Sequence, residues 1–383
     1  MRLTLMTRSL RRVLMLAQKV IERKNILPAL DNFKFGRDDR GYYVMGASTE
    51  HSLRLTLDVA NCEGEFFDFL VPAAELVSVL STLDADLIYM EVAKNGGSVK
   101  VDYQTGTFVL PCGKADEYPT LPFSEANLVF DCDYTEVCKS VSAALHYTCF
   151  DDLCPTMTGV ALDVKEDGFT VVSTNGQMLY KRSFDVGAPF IRYGEPSVLI
   201  IPAGVAKVLE SVFGGAENLE VSSNEQKTKF SFADAELIAT RVEGRYPNYN
   251  SVFPTNTTFS LTCSLAELKR SVRRTSLFVA NTAQQKLVVE FNKENGLHIK
   301  ADNIDFGQNC DDKLPDDSLT LSGAVPGNFA IGIKSSSLST ILGDIKSEDV
   351  TLNFVDPARA IVVREAKPES SLQLLLMPML LDR

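Results

Sequence analysis

The sequence predicts an α+β fold built as three similar domains in one chain, each with two short helices and antiparallel sheet. Three observations predict it, and each recurs three times in the same order. The first is a strand–helix–strand unit over Phe69–Glu91: Leu76, Val79 and Leu80 form one helical face after Val71-Pro72, then come the acids Asp84 and Asp86 and the apolar run Leu87-Ile88-Tyr89. It returns with Val205, Val208 and Leu209 after Ile201-Pro202, before Glu217 and Leu219-Glu220-Val221. It returns again with Leu338, Ile341 and Leu342 after Ile331-Gly332-Ile333, before Glu348-Asp349 and Val350-Thr351-Leu352.

The second observation is a helix that opens each domain. Leu10, Val13, Leu14 and Ala17 have helical spacing, as do Val137, Val141, Ala144 and Leu145, and Leu265, Leu268 and Val272. Asp133 with Glu136 and Ser264 with Glu267 read as capping boxes, in which side-chain oxygens satisfy the orphan N–H groups of the first turn. The third observation is a turn glycine followed by alternating strand residues, at Gly41, Gly168 and Gly296. The shared period is about 130 residues, the size of a small domain and well beyond that of a solenoid repeat.

The joints show in the turn chemistry: Glu117-Tyr118-Pro119-Thr120-Leu121-Pro122 closes the first unit, and Gly244-Arg245-Tyr246-Pro247-Asn248-Tyr249 followed by Pro254 closes the second. The expected domains are therefore residues 1–124, 125–255 and 256–383. A chain of 383 residues exceeds what one core usually supports, which agrees with that division. Short connections favour antiparallel pairing.

Composition narrows the function. Eight cysteines without a C-x-x-C pair argue against a zinc site or a disulfide scaffold and point to a reducing cytoplasm. No apolar run reaches the length of a membrane span, so no membrane partner is expected. Met1–Ile21 is basic and free of acids, a composition shared with transit peptides, yet the segment recurs inside the chain as a domain-opening helix. No catalytic residues emerge: His51, His146 and His298 lack metal-ligand spacing and no phosphate-binding glycine motif is present, so no metal and no cofactor are expected. Gly214-Gly215 is the weak candidate for a phosphate loop, with a helix C-terminal glycine as the simpler reading. The acid pairs Asp84/Asp86 and Glu348/Asp349 repeat with the domain, so they read as solvated helix-to-strand turns before they read as acid–base pairs.

The net charge of −12 argues against a nucleic-acid binder, but the distribution of cations matters more than the total. Arg8, Arg11 and Arg12 stand at i, i+3, i+4 on the first opening helix. Arg270, Arg273 and Arg274 repeat that spacing on the third, beside Lys269. Basic faces on two equivalent helices of an acidic chain point to a polyanion on that side, with Arg11, Arg270, Arg273 and Arg274 as phosphate contacts. The tail, Leu374–Leu381, reads as a core-packed strand, except that Met377-Pro378-Met379 suits a surface that accepts varied apolar partners.

Over its whole length the chain resembles the bacterial DNA sliding clamps, the beta subunits of the replicative polymerase. The resemblance lies in Leu27-Pro28-Ala29-Leu30 with Asn32, Phe108 with Leu110, Glu117-Tyr-Pro-Thr-Leu121, Gly159-Val160, Thr174-Asn-Gly176 with Leu179, Glu243-Gly-Arg-Tyr-Pro-Asn-Tyr249 and Leu376-Met-Pro-Met379. It implies a ring-forming architecture: a head-to-tail homodimer of three-domain chains that encircles double-stranded DNA, with helices lining the hole. It also implies a non-catalytic, cytoplasmic processivity factor that tethers the replicative polymerase and docks the clamp loader and repair polymerases through short linear motifs. Carried over by position, the docking groove between the second and third domains takes Met157, Thr174, Gly176, Met178, Leu179, Pro247, Val252, Met377, Pro378 and Met379, and Lys24 matches a position that touches DNA. Leu277, Phe278 and Phe108 are the apolar candidates for the dimer joint. Two departures make the groove more apolar at its edge: Gln177-Met178 replaces the family's His-Arg, and Leu380 replaces an Arg before Asp382-Arg383. The competing classes are a metal-dependent enzyme on nucleic acid, using the acid pairs, and a monomeric peptide-binding scaffold that never encircles DNA.

Overall fold

The computed structural model describes residues 1–381 apart from 23–24, 94–96, 152, 188–189, 213–217, 233 and 293. The Gly214-Gly215 pair, Lys24 and the Asp382-Arg383 extension lie outside the described residues. The helices fall where the repeats place them, in three successive pairs: α1 (Thr7–Ala17) and α2 (Ala73–Ser81), α3 (Tyr134–Ala144) and α4 (Ala203–Val212), α5 (Leu265–Val279) and α6 (Ser335–Asp344). Most of their periodic residues are buried: Leu10, Leu14 and Ala17 on α1, Leu76 and Leu80 on α2, Leu338, Ile341 and Leu342 on α6, while Val13 and Val79 at the margins of their faces are half-buried. Each buried leucine or isoleucine among them contributes about 1.5–3 kcal/mol by leaving water. Asp133 Oδ1 accepts from the Glu136 N–H at 3.0 Å and Ser264 Oγ from the Glu267 N–H at 3.5 Å, so the expected caps start α3 and α5.

Two compact units divide the chain: Met1–Ser142 with Lys165–Asp167 and Gly187–Glu243, and Ala143–Val164 with Gly168–Val186 and Gly244–Arg383. In the first, a five-stranded sheet runs in the order Asn61–Glu63, Arg2–Met6, Leu87–Val92, Ser98–Tyr103, Gly106–Pro111. A ten-stranded antiparallel sheet accompanies it. At its centre the first repeat's strand His51–Thr56 pairs with the second repeat's strand Ala235–Thr240, Leu53 opposite Leu237. Phe35 and Phe69 stack in its core at 4.9 Å.

The second unit repeats that plan. The hairpin Gly168–Thr174 and Met178–Asp185 pairs onward with Leu372–Leu376, which pairs with Ile361–Glu365. A four-stranded sheet runs Gln308–Lys313, Gly296–Asn303, Lys286–Asn292, Asn328–Lys334. Phe259, Phe329 and Phe354 cluster with centroids 5.0–5.1 Å apart.

The likeness of the units reaches single hydrogen bonds. In the first, His51 pairs with Ala239, the Thr240 N–H donates to Glu50 O at 2.7 Å, and the Val242 N–H to Ile200 O at 3.0 Å. In the second, Met178 pairs with Leu376, the Met377 N–H donates to Gln177 O at 2.9 Å, and the Met379 N–H to Gly332 O at 2.8 Å. Each time the outgoing chain seals a hairpin turn and then crosses to a second strand.

Candidate peptide groove and nucleic-acid face

The groove residues all belong to the second unit. The turn after Thr174 is an Asn-centred one: Asn175 Oδ1 accepts from the N–H groups of Gln177 at 3.0 Å and Met178 at 2.9 Å. Thr174 Oγ1 donates to Met178 O at 2.8 Å and accepts from the Gly176 N–H at 3.1 Å. Gly176 has φ +82°, and a Cβ there would meet nothing within 4 Å, so its backbone is open to a ligand.

The tail closes one side of this turn. Its strand ends at Leu376, Met377 bonds to Gln177 O, Pro378 interrupts the ladder, and Met379 forms a single bridge to Gly332. A side chain at Gly332 would sit 2.7 Å from Met379 O, so glycine is what lets the tail approach. Tyr246 holds the other side: its hydroxyl accepts from the Thr174 N–H at 3.1 Å, and burial pushes its pKa well up. That bond places the exposed Pro247 and the 49% exposed Val252 in the segment leaving the turn. Met157, half-buried, enters on the short helix Pro155–Thr158, whose Thr156 lies 2.8 Å from a Cβ built on Gly244.

The turn and the tail thus converge through main-chain bonds, and the Gly-Arg-Tyr-Pro segment joins them through the Tyr246 hydroxyl. Met178 and Leu179 are buried and act as floor, whereas Met377 is 41% exposed and Leu380 is 87% exposed. Met377, Val252 and Leu380 are exposed apolar residues, and Met377 is bonded to the turn next to the open Gly176 backbone; soft Met side chains adapt to different apolar anchors. Sequence reasoning missed Asn175, whose Asx-turn chemistry was readable, and Gly332, whose role exists only once the tail crosses it.

On α5, Arg270 pairs with Glu267, and Arg274 Nη2 meets Asp312 at 2.6 Å. Arg273 is exposed and has no ion pair among the described residues. The exposed Arg270–Glu267 pair contributes about 0–1 kcal/mol, so Arg270 can exchange its carboxylate at small cost, whereas Arg274 is held by two bonds to the half-buried Asp312. Arg11 is half-buried and donates from Nη2 to Leu83 O at 2.5 Å, beside exposed Arg8 and Arg12. Among the described residues no group of His, Cys, Asp or Glu could hold a metal ion; Asp84, Asp86 and Glu348 are exposed in helix-to-strand connections, and Asp349 is the exposed first residue of the strand Asp349–Phe354.

Phe108 lies on Gly106–Pro111, the edge of the five-stranded sheet, its ring 6.2 Å from Tyr103. Leu277 is 73% exposed. Phe278 O accepts from Asn303 Nδ2 at 3.1 Å, which sets the exposed Ile304 and Phe306 next in the chain to that contact. These two, unflagged by any repeat, precede the edge strand Gln308–Lys313.

The family model for the DNA polymerase III beta subunit, N-terminal domain, matches residues 1–122, and that for its C-terminal domain matches 250–380. The chain is 22% identical over 374 residues to the beta sliding clamp of Pseudomonas aeruginosa, covering 97% of this chain and 98% of that one. It is 23% identical over 381 residues to that of Caulobacter vibrioides, covering 95% of each. A solved Pseudomonas aeruginosa sliding clamp bound to griselimycin superposes with TM-score 0.90 at 22% identity, and the Thermotoga maritima beta subunit with TM-score 0.88 at 19%, each covering 100% of both chains. No helix among the described residues is long and apolar enough to cross a membrane.

Proposed function

The chain belongs to the DNA polymerase III beta-subunit family, the sliding clamps, and on that premise we propose how its residues serve a clamp. It is a non-catalytic processivity subunit of DNA replication. The observation that carries this reading is the family match at both ends of the chain, over a fold that repeats one strand–helix plan three times. In our reading, domains 1–124, 125–255 and 256–383 close head to tail with a second copy into a ring around duplex DNA in the cytoplasm. The free edge Gly106–Pro111 with Phe108 meets the partner copy's counterpart of the edge Gln308–Lys313, with Leu277, Phe278, Ile304 and Phe306 as apolar seal. Pairing the edges also removes their aggregation hazard.

Arg11, Lys24, Arg270, Arg273 and Arg274 meet phosphates without reading bases, since a protein that slides cannot favour one sequence. The groove at Gly176 and the Met377-Pro378-Met379 tail takes the apolar anchors of linear motifs from the replicative polymerase, the clamp loader and repair polymerases. The test is retention on nicked circular DNA after loading. The ring should stay on circles, leave when they are linearised, and lose residence as salt rises. The Lys24→Ala, Arg273→Ala, Arg274→Ala triple variant should shorten residence. Equal retention on linear and circular DNA would contradict encirclement, and unchanged residence of the triple variant would contradict the assigned phosphate contacts.

A further inference from the structure

One face of the ten-stranded sheet in the first unit carries a cleft of about 340 Å3, within the size range of small-molecule sites. Strand residues Tyr43, Arg54, Lys229 and Ile238 line it, and Leu121 to Phe123 form one wall. Arg54 is 6% exposed. Its Nε and Nη2 bond to Asp38 at 3.0 and 2.7 Å and its guanidinium stacks over Tyr43 at 4.7 Å, while Nη1 takes no part in the Asp38 pair. Arg40 occupies Glu236 at 3.0 Å. Lys229 Nζ stands 5.0 Å from the Phe123 ring centroid and has no carboxylate at ion-pair distance among the described residues. Three cations therefore face two carboxylates, both already engaged.

The second unit shows what fills the equivalent place. Lys181 follows Met178 by the same interval as Arg54 follows His51, and Met178 and His51 hold equivalent ladder positions. Lys181 Nζ donates to Asn250 Oδ1 at 2.9 Å and lies 5.5 Å from the Tyr249 ring and 5.2 Å from the Phe253 ring. Aligned on Tyr118-Pro119 and Tyr246-Pro247, the first linker has Leu121 and Pro122 where the second has Tyr249 and Asn250. The second unit thus covers its cation with its own ring and its own oxygen acceptor. The first linker sets neither a ring nor a side-chain acceptor on Arg54, its Phe123 ring lying against Lys229 instead, and a cleft remains.

We propose that this cleft binds a small aromatic carboxylate. The ring takes the place that Tyr249 fills in the second unit, against Phe123 and Ile238. The carboxylate takes the place of the Asn250 oxygen, on Lys229 Nζ and the free edge of Arg54. A carboxylate leaves water only where cations receive it, and the unmatched cation here meets that need. The same chemistry exists in a free phenyl-alkanoic acid and in the C-terminal phenylalanine of a peptide.

The test is calorimetric titration of the full chain with 3-phenylpropanoate, 3-phenylpropanamide and Gly-Gly-Phe. The acid should saturate one site per chain, and the amide should bind at least about tenfold more weakly, as should the acid to Lys229→Ala. The Leu121→Tyr, Pro122→Asn variant installs the second unit's own plug and should abolish binding at unchanged melting temperature. Whichever of the acid and Gly-Gly-Phe binds more tightly identifies the source of the ligand, and either order upholds the site. Equal affinity for acid and amide, full binding by the plugged variant, or no saturable heat with either carboxylate overturns it.

Discussion

Single residues decide how the two seams differ. At the ladder position where the second unit buries Met178, the first buries His51, with Nδ1 3.0 Å from Ser48 Oγ. Burial lowers the His51 pKa below its ordinary 6.5, with Glu22 and Glu50 opposing weakly. A lowered histidine pKa means the unfolded chain binds the proton first. Its stability contribution is therefore complete above pH 6.5 and is lost as pH falls from there toward the folded value. Melting temperature should drop more between pH 7.5 and 5.5 in the natural chain than in His51→Met, which removes the buried base and copies the second seam. Parallel pH dependence of the two melts would show that His51 is not the titrating group. Where the second seam offers Met178, Met377 and Met379, the first offers His51, Thr240 and Val242, so apolar anchors find a soft surface at only one of the two.

Among the elements, the tail matters most to the groove. Leu372–Leu376 is a core strand whose Leu374 and Leu376 are buried, and its removal would leave Met178–Asp185 and Ile361–Glu365 without the strand between them. The residues after it are different: they leave the ladder at Pro378 and hold on by the Gly332 bridge. Deleting Met377–Arg383 should therefore spare the sheet while removing one wall of the groove. Two buried anchors contribute about 3–6 kcal/mol before the peptide's ordering cost, which suits micromolar exchange. A Gln-x-x-Leu-Phe peptide followed by fluorescence anisotropy should lose its affinity for the truncated chain, with circular dichroism unchanged. Equal affinity would place the groove elsewhere.

At the scale of the whole molecule, the proposed ring depends on two free edges and a small apolar group. Leu277, Ile304 and Phe306 are strongly exposed in a single chain, and exposed clusters of this kind mark association surfaces. Leu277→Ala with Phe278→Ala should convert the dimer to monomer at nanomolar concentration, read by solution mass, because an interface hot spot of two large side chains contributes several kcal/mol. A double variant that keeps full dimer mass would sink this joint.

By itself the sequence determined the repeat, the six helices and the class of the fold. Those depend on local matters: apolar periodicity, capping boxes and turn residues, each contained within a few residues of chain. Through resemblance in motif it also singled out Thr174, Gly176 and Met377, which the structure brings to one turn. Tertiary structure alone decided what joins what. The seam of His51–Thr56 with Ala235–Thr240 and the landing of Met379 on Gly332 are pairings between segments far apart in the chain. No local pattern encodes them, because main-chain hydrogen bonds are the same for every residue. The structure likewise gave Arg274 its carboxylate, Asp312, and left Arg273 without one among the described residues, whereas the Glu267 partner of Arg270 stands three residues back on the same helix. Charge spacing along a helix fixes which cations share a face and which meet an acid of that helix, but any other acid comes from a strand packed there from elsewhere in the chain.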